Sequence, residues 1–276
     1  YTTTIGPIYP LYIRDGEGNI LYTEDGIKRY DYGQNAGMER SIFTNSNALS
    51  ESRLNTQASE GNAFNGTAYF DVTFLKDFKF TFNAGVTLDE TRSTTIKNPY
   101  FGQFVSEKGL ISKGHSRQLE FNMQQILNYT KQFGHHNVNI MVGHESYDSK
   151  AYVLSAAKSH MLTEENDELS GAIIDKQSAS SYRTEYNNEG YFARVMYDYN
   201  SKYFLSASYR RDASSRFHPD HRWGNFWSVG GAWIITRENF MAGTQEWLDN
   251  LKLKASIGSQ GNDNIGNFRY TNTYTI

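Results

Sequence analysis

The chain contains no cysteine, so a disulfide framework and thiolate metal sites are excluded, although the compartment is not thereby fixed. Only four prolines occur in 276 residues, Pro7, Pro10, Pro99 and Pro219, and each falls where the surrounding pattern reads as loop. Long hydrogen-bonded ladders tolerate no missing donor, so this scarcity suits extended strands. A basic excess is missing too. The 27 Lys and Arg face 30 Asp and Glu, a net charge of −3, whereas a nucleic-acid surface normally shows the opposite balance. No apolar run reaches the roughly 18 residues of a transmembrane helix. The low mean hydropathy looks water-soluble, yet it does not exclude a membrane barrel, whose lumen-facing residues and loops dilute the apolar signal. The start, Tyr1-Thr-Thr-Thr-Ile-Gly, has neither a basic segment nor a hydrophobic core and does not read as a signal peptide. An exported protein is then expected here as a mature chain or an internal piece.

What is abundant is aromatic: 20 Tyr, 17 Phe and 4 Trp, or 15% of the chain. These residues suit strands, and Tyr and Trp also suit a membrane–water boundary. An aromatic-rich soluble sandwich would show the same composition. The order of the residues says more. Tyr203, Leu205, Ala207 and Tyr209 alternate with Phe204, Ser206, Ser208 and Arg210. Beyond a polar loop, Trp227, Val229, Gly231, Trp233 and Ile235 alternate with Ser228, Gly230, Ala232 and Ile234. Strand side chains alternate faces, so each segment separates an apolar face from a small or polar one, with aromatics near its ends. A membrane-spanning β-barrel needs this pattern.

The same pattern recurs along the chain. Residues 1–65 read as a loop region with Gly and Pro punctuation and a short hairpin turning at Asp15–Gly18. Within it, residues 44–65 read as exposed polar chain. Residues 66–276 read as wall strands and loops. Strands are predicted at Gly66–Leu75, Phe78–Thr91, Gln118–Thr130, Asn137–Tyr147 and Glu189–Tyr199, then in the two segments above, and over residues 251–258. Gln125 and Ile126 break the alternation of the third. A short helix is predicted within residues 237–250. Connections alternate in length. Lys76-Asp77, Lys131–His136 and Asn200–Lys202 are short, while 92–116, 150–184 and 212–224 are long. Outer-membrane barrels have short periplasmic turns and long extracellular loops.

Catalytic motifs are not evident. His218-Pro-Asp-His221 has a metal-like spacing, but Pro219 rules out a helix interior and no further ligands lie nearby, so a solvated loop is the better reading. His135-His136 reads likewise as a turn. Asp15-Gly-Glu-Gly-Asn19 lacks the ligand pattern of a calcium loop and reads as a plain turn. Neither a metal, a cofactor nor an enzymatic role is expected. The faces carry the candidates. Lys79, Glu120, Arg194, Arg210, Lys252 and Lys254 lie on the polar face, where in a barrel they would line the lumen and meet a plug, the preferred reading, or a solute. Phe80, Phe82, Leu205, Trp233 and Leu253 are expected to face lipid. The loop aromatics Tyr100, Phe101, Phe217 and Trp223 are candidate substrate contacts, weighed against simple packing of loop on loop.

Several segments resemble the SusC/RagA family of TonB-dependent outer-membrane transporters. They are Tyr-Arg-Arg-Asp-Ala-Ser-Ser-Arg-Phe (209–217), Arg-Trp-Gly-Asn-Phe (222–226), Ala232-Trp233 and Leu-Lys-Leu-Lys-Ala-Ser-Ile-Gly-Ser-Gln-Gly-Asn (251–262). Ile5-Gly-Pro-Ile-Tyr-Pro-Leu-Tyr, continuing to Tyr30-Asp-Tyr-Gly, and Phe74-Leu-Lys-Asp-Phe-Lys-Phe are similar to the same family. One departure is Ala213, where the family usually has Gly; it is expected to stiffen a turn. The resemblance implies an all-β, antiparallel transmembrane barrel of 22 strands with a plugged lumen, of which this chain would supply about eight or nine long strands. It also implies the outer membrane of a Gram-negative bacterium, import of glycan oligomers or peptides, a SusD-like surface lipoprotein and a TonB energy-coupling protein reached through another part of the protein. The chain is expected to be an internal piece of the wall. Two alternatives remain open at this point: a soluble β-sandwich carbohydrate-binding module, and a small closed eight-stranded barrel.

Overall fold

The computed structural model describes residues 9–35, 39–40, 44, 46–163, 165–244, 246–267 and 269–271. Pro7, Glu164, the segments Tyr1–Ile8 and Tyr274–Ile276, and with them part of the N-terminal resemblance, lie outside the described residues. The chain divides into two compact units. One comprises Tyr1–Asn62, Asp89–Arg117 and Tyr152–Arg183; the other comprises Ala63–Leu88, Gln118–Ala151 and Thr184–Ile276.

Among the described residues nine strands form a single sheet. They are β1 (Thr56–Phe74), β2 (Phe78–Lys97), β3 (Leu110–Phe133), β4 (His136–Met161), β5 (Ala172–Asp175), β6 (Ser180–Tyr199), β7 (Tyr203–Ser214), β8 (Trp223–Ile234) and β9 (Lys252–Ser259). The order is β1-β2-β3-β4-β6-β7-β8-β9, with the short β5 pairing β4 off this path. β4 pairs β5 antiparallel, and β6, β7, β8 and β9 pair antiparallel in succession. A sandwich requires two sheets face to face, so the soluble-sandwich alternative does not describe this fold. A small closed barrel requires the first and last strands to pair, and among the described residues the sheet path ends on β1 and β9 instead.

The strands are longer than their alternating cores. Those predicted for β1, β3, β4 and β6 stop up to fourteen residues short of the observed ends, as at Met161 of β4 against the predicted Tyr147. A membrane crossing takes only about 9–11 tilted residues. The backbone ladder therefore runs on where no regular hydrophobic alternation marks it. The 44–65 stretch is likewise more ordered than expected. It holds the helix α1 (Ala48–Leu54), capped by the Asn47 side chain, and then the start of β1. The helix predicted within 237–250 is instead two 3-10 segments, Ile235–Arg237 and Asn239–Thr244. Ala213 sits in the ladder, opposite Glu189 and Trp223, and so stiffens no turn.

The short connections are true tight turns. Asn200 and Ser201 both take positive φ (51° and 50°), and the Lys202 N–H returns to the Tyr199 carbonyl at 2.9 Å. Paired positive φ values match the strand twist and are the favoured geometry for a two-residue hairpin. Leu75 and Lys76 form the corresponding turn between β1 and β2, with φ of 48° and 64°.

In the first unit the Tyr30-Asp-Tyr-Gly motif acts as a staple. Asp31 is fully buried, and one carboxylate oxygen accepts the backbone N–H groups of Gly33, Gln34 and Asn35. Arg40 lies 3.7 Å from its other oxygen, and Asn47 donates to the Asp31 carbonyl at 2.8 Å. Tyr32 donates to Ser50 of α1 at 2.8 Å. The predicted hairpin is a three-segment meander of isolated bridges, Arg14 with Ile20, Tyr22 with Lys28 and Tyr12 with Tyr30. Asp15 closes its turn by accepting from Asn19 and Glu17, as a plain turn requires. The Asn19 backbone N–H, followed by its side-chain amide, holds the Asp15 carboxyl below its ordinary value.

Candidate functional site

Directly paired residues share a face, so the registers sort the side chains of β6–β9. Tyr197, Leu205, Gly231 and Ala255 lie across from one another on one face, and Val195, Ala207, Val229 and Ile257 follow one step along. The opposite face carries Met196, Ser206, Gly230 and Ser256, then Arg194, Ser208, Ser228 and Gly258. Side-chain contacts extend the polar face into the earlier strands: Asn137 to Asp198 (3.0 Å), Gln124 to Glu145 (3.1 Å), Asn83 to Gln124 (3.4 Å) and Thr81 to Asp71 (2.6 Å). Ring contacts extend the apolar face: Phe78 with Tyr129 at 4.8 Å and Phe70 with Phe82 at 5.3 Å.

All six charged candidates fall on the polar face and all five apolar candidates on the other. On the apolar face Leu205 is 55% exposed, Leu253 60% and Ile257 69%. Large aliphatics this open need a covering medium. Two aromatic bands bound them. On the turn side Tyr199, Tyr203 and Trp233 stack in sequence at 6.4 Å spacings. On the loop side Tyr191 stacks on Trp223 at 6.0 Å, with the Arg211 guanidinium 5.1 Å from the indole. Trp223 and Trp233 end the same strand. At ~3.3 Å per residue and a tilt of about 40° they lie about 25 Å apart along the membrane normal, the height of an outer-membrane apolar band. Trp223 is the first residue of β8, and its register opposite Ala213 places it on the apolar face.

The aromatics keep their polar ends satisfied. Tyr203, Lys202 and Trp233 donate to Glu238 at 2.5, 2.9 and 2.9 Å. The Tyr203 hydroxyl first, then the Lys202 ammonium and the Trp233 indole, hold the Glu238 carboxyl down to about 2. Gln125, the polar intruder on the apolar face, meets His144 Nδ1 at 2.7 Å, and His144 Nε2 lies 3.2 Å from Glu189.

On the polar face Arg210 is a junction. Its Nε donates to both Asp212 oxygens at 2.6 and 2.7 Å, its Nη2 pairs with Glu145, and its guanidinium covers the Phe192 ring. Lys79 pairs with Asp71 at 3.0 Å, Gln118 donates to Glu120 at 2.7 Å, and Lys252 sits 4.6 Å over the Phe204 ring. Arg194 and Lys254 are exposed. A hollow of about 570 Å³ opens on this face, lined among others by Asn137, Asn139, Asp198, Ser206, Ser256 and Lys254.

Three of the segments that carry the family resemblance, residues 209–217, 222–226 and the end of 251–262, come together at the loop-side end of β7 and β8. Asp263, just past β9, accepts from Tyr186 (2.6 Å) and Ser214 (2.9 Å), and its backbone carbonyl accepts from Arg216 (2.9 Å). Burial pushes the Asp263 carboxyl up, but these hydroxyl donors and the Arg216 charge outweigh it and leave it below its ordinary value. Arg216 also lies 4.4 Å over the Tyr186 ring. Gly224 and Gly261 leave room for Phe226: a Cβ at Gly224 would stand 2.6 Å from the ring, and one at Gly261 closer still. Beside this cluster lies a cavity of about 370 Å³ whose lining includes Phe217, Arg222, Phe226 and Asn262. In the first unit Phe101 is packed between Tyr30 (5.4 Å) and Tyr32 (6.1 Å). Tyr100 is half-buried in the turn capped by Asn98. Sequence reasoning gave no role to Glu145, Asp212, Glu238 or Asp263; of these only Asp212 lay inside a segment it singled out, residues 209–217.

No family model matches the chain. Among curated proteins it is 30% identical to the TonB-dependent receptor SusC of Bacteroides thetaiotaomicron over 237 residues, covering 83% of this chain and 23% of that protein. It is 26% identical to the TonB-dependent receptor P39 of Formosa agariphila over 262 residues, covering 91% of this chain and 24% of the relative. The chain therefore spans about a quarter of the length of the curated relatives it matches. Among solved structures it superposes on the RagAB peptide transporter with a TM-score of 0.78 at 24% identity, over 91% of this chain and 28% of that one. The RagAB peptide importer in its closed-closed state gives 0.73 at 25% identity, over 81% of this chain and 25% of that one. By sequence and by fold the chain is a segment of the outer-membrane β-barrel of a SusC/RagA-type TonB-dependent receptor.

Proposed function

We propose that this chain forms part of the wall of a gated importer that carries an oligomeric nutrient, glycan or peptide, across the outer membrane. The apolar face meets lipid, and the polar face, with Lys79, Glu120, Arg194, Arg210, Lys252 and Lys254, lines the lumen, where its charges dock a plug. Two-faced strands bounded by two aromatic bands carry this reading, because only a lipid-embedded wall uses an exposed aliphatic face backed by a charged one. Similarity to the TonB-dependent receptor SusC and to the RagAB peptide importer supports the transport class. A SusD-like surface lipoprotein would meet the loop side, and a TonB energy-coupling protein would act from another part of the whole receptor. Passage through a gated lumen needs no bond making, so no catalytic residue is assigned. The test is whole-cell uptake of a fluorescent glycan or peptide oligomer. Uptake is expected to vanish on deletion of the gene and on collapse of the proton gradient; uptake indifferent to both would overturn the reading.

A further inference from the structure

The loop-side cavity of about 370 Å³ has a donor excess that the architecture does not consume. It lies at the loop-side end of β7 and β8, lined by Asp212, Gly224 and Phe226 of the polar face and by Ala213 and Trp223 of the other. Both carboxylates in its wall are already engaged. Asp212 gives both oxygens to Arg210, and Asp263 takes Tyr186 and Ser214 on one oxygen with Arg216 3.9 Å from the other. Arg222 is different. It spends Nε on the Phe217 carbonyl at 3.3 Å, and its remaining guanidinium N–H groups have no partner among the described residues. Asn262 accepts from the Asn264 N–H at 2.9 Å, which leaves its amide N–H₂ as a donor. Phe217 and Phe226 supply apolar walls, and Phe226 is fixed by the two glycines beneath it.

Committed acceptors, one guanidinium without a counter-charge, a spare amide donor and rigid aromatic walls together match an anion carried on an apolar or ring-bearing body. We propose that this cavity is a subsite for a carboxylate-bearing end or branch of the transported oligomer, with Arg222 as its counter-charge. The proposal rests on the importer reading for its ligand's origin. The carboxylate has two sources, a peptide C-terminus or a uronic acid, and the same chemistry serves both.

The test uses the purified full-length receptor and calorimetric binding of four probes: trigalacturonate and its methyl ester, and trialanine and its C-terminal amide. At least one free acid is expected to bind more tightly than its neutral partner by about ten- to a hundredfold, the contribution of one charge-assisted hydrogen bond. The pair that discriminates identifies the source. Arg222→Gln should abolish that discrimination, and Arg222→Lys should restore part of it; the heat-modifiable migration of the folded barrel confirms that each variant has folded. Equal binding of acid and neutral probe in both pairs, no binding by either acid, or discrimination that survives Arg222→Gln would overturn the proposal. Binding by the purified receptor does not depend on uptake. Charge discrimination without cellular uptake would therefore sink the importer reading and leave the subsite standing.

Discussion

Val195 and Met196 are neighbours in β6, at one depth and on opposite faces. Val195 lies midway between Tyr191 and Tyr199, the band residues of its own strand, so it marks the centre of the apolar zone. Arginine at the midplane of a barrel's lipid face costs about 2–4 kcal/mol, falling to about 0–1 near either interface. Each 1.4 kcal/mol is about tenfold in an equilibrium constant, so Val195→Arg should shift the folding equilibrium by roughly 30- to 1000-fold. Met196→Arg places the same charge beside Ser206 on the polar face and should cost about 1 kcal/mol or less, as a surface substitution does. Alanine variants at both sites serve as references, so that lost packing subtracts out. Tyr199→Arg against Tyr199→Ala gives the interface value. The assay is reversible denaturant unfolding of the full-length receptor in lipid vesicles. Equal Arg-minus-Ala costs at residues 195 and 196, or a greater cost at Tyr199 than at Val195, would refute the assignment of faces.

Three further outcomes are expected. Asp31→Ala strands the buried Arg40 guanidinium and should destabilise the first unit by about 3–5 kcal/mol, read as faster proteolysis and hydrogen exchange over residues 9–55. Glu238 is held to about 2 in the fold against an ordinary value of 4.5. A depressed carboxyl stabilises above its unfolded pKa, so this contribution is intact from neutral pH down to about 5 and is lost progressively toward pH 2. In Glu238→Gln that acid-dependent step should disappear from a pH titration of Trp233 fluorescence. Gly261→Ala drives a methyl into the Phe226 ring and should cost about 1–3 kcal/mol in thermal unfolding, with Phe226→Leu relieving part of it.

The face of each residue was legible in the sequence because the solvents on the two sides differ. Phe80 and Lys79, or Leu205 and Ser206, sort themselves by a period of two, the pattern expected where lipid opposes an aqueous lumen. Beyond the alternating cores that contrast is lost, as in the consecutive Tyr152-Val153-Leu154, and so the outer parts of β3 and β4 read as loop although their ladders continue to Leu110 and Met161. Trp223 read as a loop aromatic because its register against Ala213 is a tertiary fact. Apart from Trp233, the clusters at Glu238 and Asp263 draw side-chain partners from 35 to 77 residues away, a separation at which no local pattern speaks. Gln125 breaks the alternation for a reason only the fold supplies: His144 partners it on the apolar face. For Ile126 on the polar face no physical reason emerges.

The division of the sheet into a lipid face and a lumen face is tested most directly by single spin labels at successive positions 204–209 of β7 in the full-length receptor, reconstituted in lipid vesicles. Labels at 205, 207 and 209 should relax with oxygen dissolved in the bilayer. Labels at 204, 206 and 208 should relax with a water-soluble nickel chelate. A two-residue period of this phase is the predicted result; the opposite phase, or uniform access to the chelate, would contradict the account.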